Sequence, residues 1–414
     1  MTAVAPEAAK EGLGKEHYFS FNGHSHPNIS PTSYAPGPTP WARTMYPANV
    51  EVELEVTAHD KTHEMAVASS AVWFFSIDIT SAGLNAAPPM GYLRERVAAI
   101  LQANPWLCAR YVKANPGHAK RWLYPKELPV VSAELLGRHL VEGAKDITAV
   151  SNNYIALNQT LNEFCCIQAV ELLKDANANQ SCFIVSAVRD TSKPGTFALV
   201  LSVNHMLADG ATMYALAGML SPTAEVVSMQ HERLPNFAAV QEKVVGKAEK
   251  AMFSFGNFGF IVGLISAMIG DLSRGKNRDL LMYEVDKEWL RKSKTEAAKQ
   301  AGLPYVSTND VLTSLVFTQL DPIRVGLMEV SLRGKDKALL PADDSHAGNY
   351  TVMTPFFRGD ASTPGDVRRA LQKPEGDVGS TEAHFVARRH KGGAVPGCFG
   401  MLSGRGRYVA ITNW

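Results

Sequence analysis

The stretch that decides the fold is Phe197-Ala-Leu-Val-Leu-Ser-Val203, which leads into Asn204-His205-Met-Leu-Ala-Asp209-Gly210. Residues 197–203 are almost all apolar, and such a run predicts a β-strand that is buried on both faces of a mixed sheet. His205 follows this strand directly, and Asp209 before Gly210 predicts a helix start because aspartate is a favoured N-cap residue. The sequence therefore predicts that His205 lies on a strand-turn-helix junction.

Helical and strand patterns continue on both sides of this junction. Apolar residues at helical spacing over 92–101 predict a helix that Asn104-Pro105 ends, and the residues that follow, 106–111, predict a strand. After Gly210, apolar residues at positions i, i+3, i+4 and i+7 predict a second helix. Strands and helices that alternate in this way indicate an α/β protein.

Two further helices are predicted towards the C-terminus. Residues 286–301 begin with aspartate and are followed by glycine and proline, which are typical helix stops. Ser307 and Asp310 have the spacing of a capping box ahead of another apolar stretch. Residues 1–50, by contrast, are rich in proline, glycine and serine and predict an extended N-terminal arm.

The charge balance and the cysteines exclude several classes of protein. Lysine and arginine number 41 and aspartate and glutamate 40, so the chain has no overall basic field that would attract nucleic acid. Five cysteines without a C-x-x-C pair, and an N-terminus without a secretory signal, indicate a cytoplasmic protein. Residues 251–270 carry no charge, and we expect a buried or surface-docked helix there, with at most weak membrane contact.

Metal, nucleotide and serine-hydrolase chemistry have little support in the sequence. His24-x-His26 and His59-x-x-x-His63 lack an accompanying cysteine ligand, so we predict no metal site. Residues 270–276 resemble a phosphate-binding loop, but Asn277 stands where serine or threonine should bind magnesium. The sequence contains no G-x-S-x-G motif, and therefore no obvious serine nucleophile.

His205 is the best candidate for a catalytic base. The pKa of an unperturbed imidazole is about 6.5, so such a ring is largely neutral, and basic, near physiological pH. A rigid strand end would hold the ring in a fixed orientation, which itself lowers the barrier to a reaction. From the residues alone, two structural alternatives stay open: a histidine that serves the core, and an Asp209 that serves only as a helix cap.

The segment His205-x-x-x-Asp209-Gly210 resembles the signature of the coenzyme A-dependent acyltransferase superfamily, which includes chloramphenicol acetyltransferase, condensation domains and the BAHD acyltransferases. Asn204 replaces the first histidine of the doubled form found in condensation domains, which favours a BAHD-like protein. Further segments that resemble BAHD proteins occur in the expected order. They are residues 100–107, 307–313, 330–335 with 348–350, and 411–414.

The resemblance implies an α/β fold with two similar domains, each a mixed β-sheet flanked by helices, and an active-site channel between them. It implies transfer of an acyl group from acyl-CoA to a hydroxyl or amine of a small molecule, with His205 as general base and without a permanently bound cofactor. Asp209, Gly210 and Arg333 would support the site, with Arg333 as the partner of Asp209. The residues expected to bind substrate are Asn349, Thr412 and Trp414.

The expected organisation is an arm (1–50), an N-terminal acyltransferase domain (51–221), a crossover segment (222–278) and a C-terminal acyltransferase domain (279–414). The chain ends before the Asp-Phe-Gly-Trp-Gly segment of BAHD enzymes, so the second domain is expected to be truncated or divergent. Two alternatives follow: a catalytically silent two-domain binding or scaffold protein, and a condensation-type enzyme that uses a carrier-protein thioester. We expect a monomer.

Overall fold

The computed structural model describes residues 19–22, 51–55, 68–77, 87–112, 121–151, 153–167, 180–234, 237, 239–241, 285–319, 323–334, 343–357, 361–371 and 407–411. The chain divides into two compact units. The first consists of Met1–Arg233 and Ala342–Asn349, and the second of Leu234–Pro341 and Tyr350–Trp414. The four domain ranges expected from the sequence stay a prediction.

Strands and helices alternate along the described residues, which confirms an α/β protein. The strands are β1 (Phe19–Asn22), β2 (Glu51–Glu55), β3 (Ser69–Ser76), β4 (Arg110–Val112), β5 (Arg121–Pro125), β6 (Leu140–Lys145), β7 (Phe183–Asp190), β8 (Thr196–Val203), β9 (Ile323–Ser331), β10 (Thr351–Phe357) and β11 (Arg407–Ile411). The α-helices are α1 (Met90–Ala103), α2 (Ala133–His139), α3 (Tyr154–Leu161), α4 (Gly210–Met219), α5 (Lys287–Ala301), α6 (Thr308–Gln319) and α7 (Pro364–Ala370).

A mixed five-stranded sheet lies at the core of the first unit, and the strand that leads to His205 is its middle strand. The strand order is β1-β3-β8-β7-β6. Neighbouring strands are antiparallel except β6 and β7, which are parallel. The prediction of a strand over 197–203 in a mixed sheet is therefore confirmed, and an edge strand, β1, comes from the N-terminal arm.

Both faces of β8 are covered, because successive side chains of a strand point to opposite sides of the sheet. One face contributes Leu201 and Val203 to a large apolar cluster that includes residues of α1, α2 and α4. The other face contributes Ala198 and Val200 to a second cluster, in which Leu157 of α3 takes part. Burial on both faces explains why this strand is almost free of polar residues.

Helix α1 holds the segment that follows α4. Tyr92 Oη donates a hydrogen bond to Leu220 O (2.7 Å), and Arg96 Nη2 donates to Ser221 O (2.9 Å). At the end of the helix, the buried Asn104 accepts from Met229 N (2.8 Å). The predicted apolar face of α1 is confirmed, and its buried residues are Leu93, Val97, Ile100 and Leu101.

The strand predicted over 106–111 is wrong in its first half. Pro105–Cys108 form a short 3₁₀ helix, and only Arg110–Val112 form a strand, which is one edge of the antiparallel sheet β2-β5-β4. Proline is favoured at the first position of a helical turn. Trp106 Nε1 also donates to Asn104 Oδ1 (3.2 Å), and this local contact favours a turn over strand pairing.

The second unit contains the mixed sheet β10-β9-β11, in which β10 is antiparallel and β11 parallel to β9. Helix α5 begins after Asp286, which caps two backbone amides (2.8 and 2.9 Å), and ends at Gly302, whose φ of 63° is left-handed. The capping box predicted before α6 is confirmed: Asp310 N donates to Ser307 Oγ (3.2 Å), and Ser307 N donates to Asp310 Oδ2 (2.7 Å).

A buried ion pair joins α6 to α7 in the second unit. Arg368 donates through Nε (2.7 Å) and Nη2 (2.5 Å) to Asp310 Oδ2, and the side chains of Arg368 and Asp310 are only 11% and 1% exposed. Arg368 Nη1 also donates to Tyr305 Oη (3.2 Å), and the guanidinium lies 4.5 Å from the centre of that ring. The aspartate that caps α6 therefore also anchors α7.

Several expectations fall on residues that are not described, among them the segment 251–270 and the histidines at 24, 26, 59 and 63. In the described ranges, no helix combines the length and the hydropathy needed to cross a bilayer. Within the same ranges, histidine, cysteine and acidic side chains do not gather into a group of three that could hold a metal ion.

His139 predicts that the first unit loses stability on acidification. The side chain is buried, and its Nδ1 donates to Phe183 O (2.7 Å). Burial lowers the pKa of the ring from 6.5 to about 4, and the charge of Arg138 acts in the same direction. The unfolded chain therefore takes up this proton near pH 6.5 and the folded chain only near pH 4. The stabilisation is complete above pH 6.5 and declines as the pH falls through this window.

In His139→Asn, the amide can still donate to Phe183 O but does not titrate. We expect its thermal midpoint to fall less on acidification than that of the wild type. Over the whole window the wild type should lose up to about 3–4 kcal/mol of stability that the variant does not lose. Circular dichroism melts at about pH 7, 5.5 and 4.5 measure this. If the thermal midpoints of the two proteins fall in parallel with pH, His139 does not contribute to the pH dependence of stability.

The Arg368–Asp310 pair predicts a large, specific cost for losing one partner. Arg368→Met leaves a buried carboxylate uncompensated and should lower the free energy of unfolding by about 3–5 kcal/mol in urea titrations. The matched control is Arg369→Met, since the neighbouring side chain is 44% exposed and should cost less than about 1 kcal/mol. Adding Asp310→Asn to Arg368→Met removes the buried charge and should recover about half of the loss. Equal effects of the two single variants would contradict the prediction.

Candidate functional site

His205 lies in a buried turn between the middle strand of the five-stranded sheet and α4. The turn begins immediately after β8, and the histidine keeps only 7% of its surface exposed, with Nδ1 buried. Asn204 O accepts hydrogen bonds from the amides of Leu207 (2.9 Å) and Ala208 (3.2 Å), which closes the turn. The predicted strand-turn-helix junction is therefore confirmed.

The Asn204 side chain fixes the entry to this turn. Its Oδ1 accepts from Met206 N (3.0 Å), and its Nδ2 donates to Ile167 O (2.9 Å). The backbone N of Asn204 donates to Cys182 O (2.8 Å), at the start of β7. The residue before His205 is therefore bonded on three sides, and the backbone of the histidine has little freedom to move.

The carbonyl groups of the turn are held by the side chains of Asn349 and Arg233, which we call the carbonyl clamp. Asn349 Nδ2 donates to His205 O (2.8 Å) and to Met206 O (3.2 Å). Arg233 Nη2 donates to Leu207 O (2.8 Å) and, at longer range, to Met206 O (3.5 Å). Buried backbone carbonyls need such partners, and here the partners come from distant parts of the chain.

Asp209 caps α4 as predicted. Its Oδ1 accepts from Thr212 N and from Thr212 Oγ1, both at 3.0 Å, and the aspartate is fully buried. Asp209 N donates to Gly348 O (3.2 Å), and Gly348 N donates to Thr212 Oγ1 (3.2 Å). The helix start that follows the turn is thus bonded to the same distant segment, 345–349, that supplies Asn349.

Segment 345–349 is attached to the residues just before Arg233. Gln230 N donates to Ser345 O (2.9 Å), and Ala347 N donates to Gln230 O (2.6 Å). Gly348 adopts a φ of 139°, a backbone conformation that favours glycine because residues with a Cβ rarely enter it. This conformation lets the segment bond to Gln230 on one side and to the His205 turn on the other.

Two buried thiols, those of Cys166 and Cys182, lie beside the residues that lead into the turn, but they are poor nucleophiles. Ser202 Oγ donates to Cys166 Sγ (3.2 Å) and accepts from Cys166 N (3.0 Å). Burial raises the pKa of Cys166 well above its usual value and that of Cys182 to about 12. The thiolate is the reactive form, so these cysteines stay protonated and unreactive at neutral pH.

The structure brings four of the residues predicted for the site together in the first unit: His205, Asp209, Gly210 and Asn349. Arg333 belongs to the second unit, where it follows β9 and its guanidinium lies 4.9 Å from the centre of the Tyr350 ring. Its pairing with Asp209 stays a prediction. Thr412 and Trp414 lie outside the described residues, so their predicted roles stay predictions as well.

Sequence reasoning missed Arg233, Thr212 and the structural role of Asn204. Arg233 lies in a short irregular stretch, and no local pattern distinguishes it from other arginines. Asn204 offered the one usable signal, because a polar amide between a buried strand and a predicted turn needs hydrogen-bond partners. Asn349 was predicted as a substrate-binding residue, whereas the contacts described above are with the backbone of the turn.

The carbonyl clamp predicts that Asn349→Asp is more disruptive than its small change in shape indicates. Asn349 is 3% exposed, and the substitution places a carboxylate oxygen against two carbonyl oxygens in place of a donor. We expect a loss of about 2–4 kcal/mol of unfolding free energy in urea titrations at neutral pH. The loss should shrink in acid, where the carboxyl group is protonated and donates again. The exposed Asn162→Asp is the control, and an equally small effect at both positions would refute the prediction.

Comparisons with known proteins give structural but not sequence-level matches. No protein-family model and no curated protein matches the chain. Similar solved structures include TRI101 of F. sporotrichioides complexed with coenzyme A and T-2, at 14% identity and a TM-score of 0.44, over 78% of this chain and 74% of that one.

Two further similar structures come from other proteins. Polyketide synthase associated protein 5 from Mycobacterium tuberculosis is 11% identical, with a TM-score of 0.43, over 87% of this chain and 81% of that one. The first condensation domain of the calcium-dependent antibiotic synthetase, in complex with a substrate analogue, is also 11% identical, with a TM-score of 0.38, over 73% and 69%.

Proposed function

We propose that the protein transfers an acyl group from acyl-CoA to a hydroxyl or amine of a small molecule, with His205 as the general base. The observation that carries the proposal is the position of His205 in a buried turn whose backbone groups are hydrogen-bonded by side chains from several segments of the chain. Asn204, Asn349 and Arg233 hold this turn, and Asp209 caps the helix after it. Such fixed orientation is what general-base catalysis requires of an imidazole.

The reaction needs one proton acceptor and no covalent enzyme intermediate, because the thioester is already activated. The acceptor oxygen or nitrogen attacks the thioester carbonyl carbon while His205 takes its proton. The carbon–sulfur bond then breaks, and the proton passes from the imidazolium to the departing sulfur, which leaves as the free thiol of coenzyme A. Since Nδ1 is buried, we assign the proton transfers to Nε2.

The alternative of a covalent mechanism has weaker support. Cys166 and Cys182 are buried thiols with raised pKa values, and the sequence has no G-x-S-x-G motif that would present a serine nucleophile. A serine or cysteine nucleophile would need a neighbouring base or a lowered pKa. Direct attack by the acceptor therefore fits the described residues better than an acyl-enzyme does.

The finer points of the expected site belong to this proposal. Two similar domains would enclose a channel that acyl-CoA enters from one end and the acceptor from the other. Asp209 would pair with Arg333, so that a buried charge pair fixes the loop below His205, while Thr412 and Trp414 would line the acceptor side. The donor would be a substrate rather than a resident cofactor. A monomeric, cytoplasmic protein stays a prediction.

His205→Ala and His205→Gln test the proposal directly. We expect both to lower the rate of acyl transfer by at least about a hundredfold, since a positioned base contributes roughly 10²–10⁴ in rate. The assay incubates a panel of acyl-CoAs with alcohols and amines, follows the released thiol with a chromogenic reagent and identifies products by mass spectrometry. The matched control is His139→Asn, which is expected to keep the wild-type rate at pH 7.

The outcomes of this assay separate the candidate functions. Wild-type turnover in His205→Ala would refute a general-base role for the imidazole. Release of thiol only from an acyl carrier protein would identify a condensation-type enzyme. The absence of turnover with any thioester, in a wild-type protein that melts cooperatively, would favour a catalytically silent binding or scaffold protein.

A further inference from the structure

The His205 turn is buried, and its carbonyl groups lie outside both the sheet ladder and the helix. The oxygens of His205, Met206 and Leu207 follow β8 and precede α4, so neither element provides their hydrogen bonds. A buried carbonyl without a donor lowers the stability of the folded state. The conformation of the turn therefore depends on side chains that arrive from elsewhere in the chain.

Arg233 supplies donors that Asn349 does not. Asn349 Nδ2 bonds to the first two of these oxygens, whereas Arg233 Nη2 bonds to Leu207 O at 2.8 Å. Arg233 Nη1 also donates to Ala347 O (3.4 Å), two residues before Asn349. One guanidinium therefore spans the turn and the segment that carries the other half of the carbonyl clamp.

The residues before Arg233 hold the arginine in place. Gln230 exchanges two backbone hydrogen bonds with segment 345–349. The next residue, His231, bonds through Nε2 to Tyr124 Oη, and its ring stacks on Trp106 at 6.2 Å between ring centres. The backbone that carries Arg233 is therefore fixed. Its guanidinium can keep the orientation in which it bonds to both Leu207 O and Ala347 O.

We propose that Arg233 is a positioning residue for His205: its guanidinium fixes the turn that presents the imidazole, and its loss frees that turn while the sheet stays folded. The role of the residue in turnover rests on the proposed function. Its role in holding the turn does not, because that role concerns only the backbone of residues 204–210. Lysine can replace one of the two donor groups, but a single ammonium cannot bridge as the planar guanidinium does.

The test compares Arg233→Gln and Arg233→Lys with wild type in hydrogen-exchange mass spectrometry and in steady-state kinetics. The control is Arg189→Gln, which removes the same charge from the first unit at a side chain that is 54% exposed. For Arg233→Gln we expect at least tenfold faster exchange in peptides covering 204–210, with unchanged exchange over 183–203. We expect kcat to fall roughly ten- to a hundredfold, with KM for acyl-CoA within about twofold of wild type. Arg233→Lys should lie between the two in both measurements.

The results distinguish this inference from the proposed function. Wild-type exchange over 204–210 in Arg233→Gln would overturn it, as would faster exchange throughout the first unit in both Arg233 variants. An unchanged kcat together with faster exchange in the turn would also overturn the inference, because Arg233 would then not position His205 for catalysis. If the wild type releases no thiol from any donor, the proposed function fails, whereas the exchange data still decide whether Arg233 holds the turn.

Discussion

The structure around His205 depends on one constraint: a buried backbone carbonyl must find a donor. The last residues of a strand that is buried on both faces lie in the core. There, water cannot hydrogen-bond to their backbone carbonyl groups. The turn after β8 therefore needs donors that the chain has to bring from elsewhere. Asn349 and Arg233 meet this need, and the positions of both side chains follow from it.

This constraint links segments that are far apart in sequence. Asn349 lies 144 positions after His205 in the sequence, and Gly348 lies 136 positions after Thr212, to which it bonds. Asp209 takes part in the same arrangement, since its side chain caps α4 while its amide bonds to Gly348. A change in any of these polar groups alters the turn as well as its own contact, because buried networks of this kind act as a unit.

The parts of the fold that local patterns determine could be predicted from the sequence. The apolar run of β8, the apolar face of α1 and the Ser307–Asp310 capping box each depend on residues close together in the chain. The failures are of two kinds. Pro105–Cys108 form a 3₁₀ helix, and both the proline at its first position and the contact of Trp106 with Asn104 favour this turn over a strand. Arg233 bonds to Leu207 and Ala347, which are 26 and 114 positions away in the sequence. A local sequence pattern cannot predict contacts over such distances.

The two faces of the sheet near His205 differ in a way that bears on the site. The face with Leu201 and Val203 is apolar and packs on helices. On the other face, near the end of β8, Ser70 and Ser202 share a hydrogen bond of 2.7 Å, and Ser202 bonds to Cys166. A wholly apolar core tolerates repacking, whereas a buried hydrogen-bond network admits few arrangements. This hydrogen-bonded cluster, which continues into Asn204 and Ile167 O, thus holds the end of the strand in register, and the carbonyl clamp holds the turn beyond it. The turn is therefore held from both sides, and the backbone of His205 is fixed although it belongs to neither a helix nor a strand.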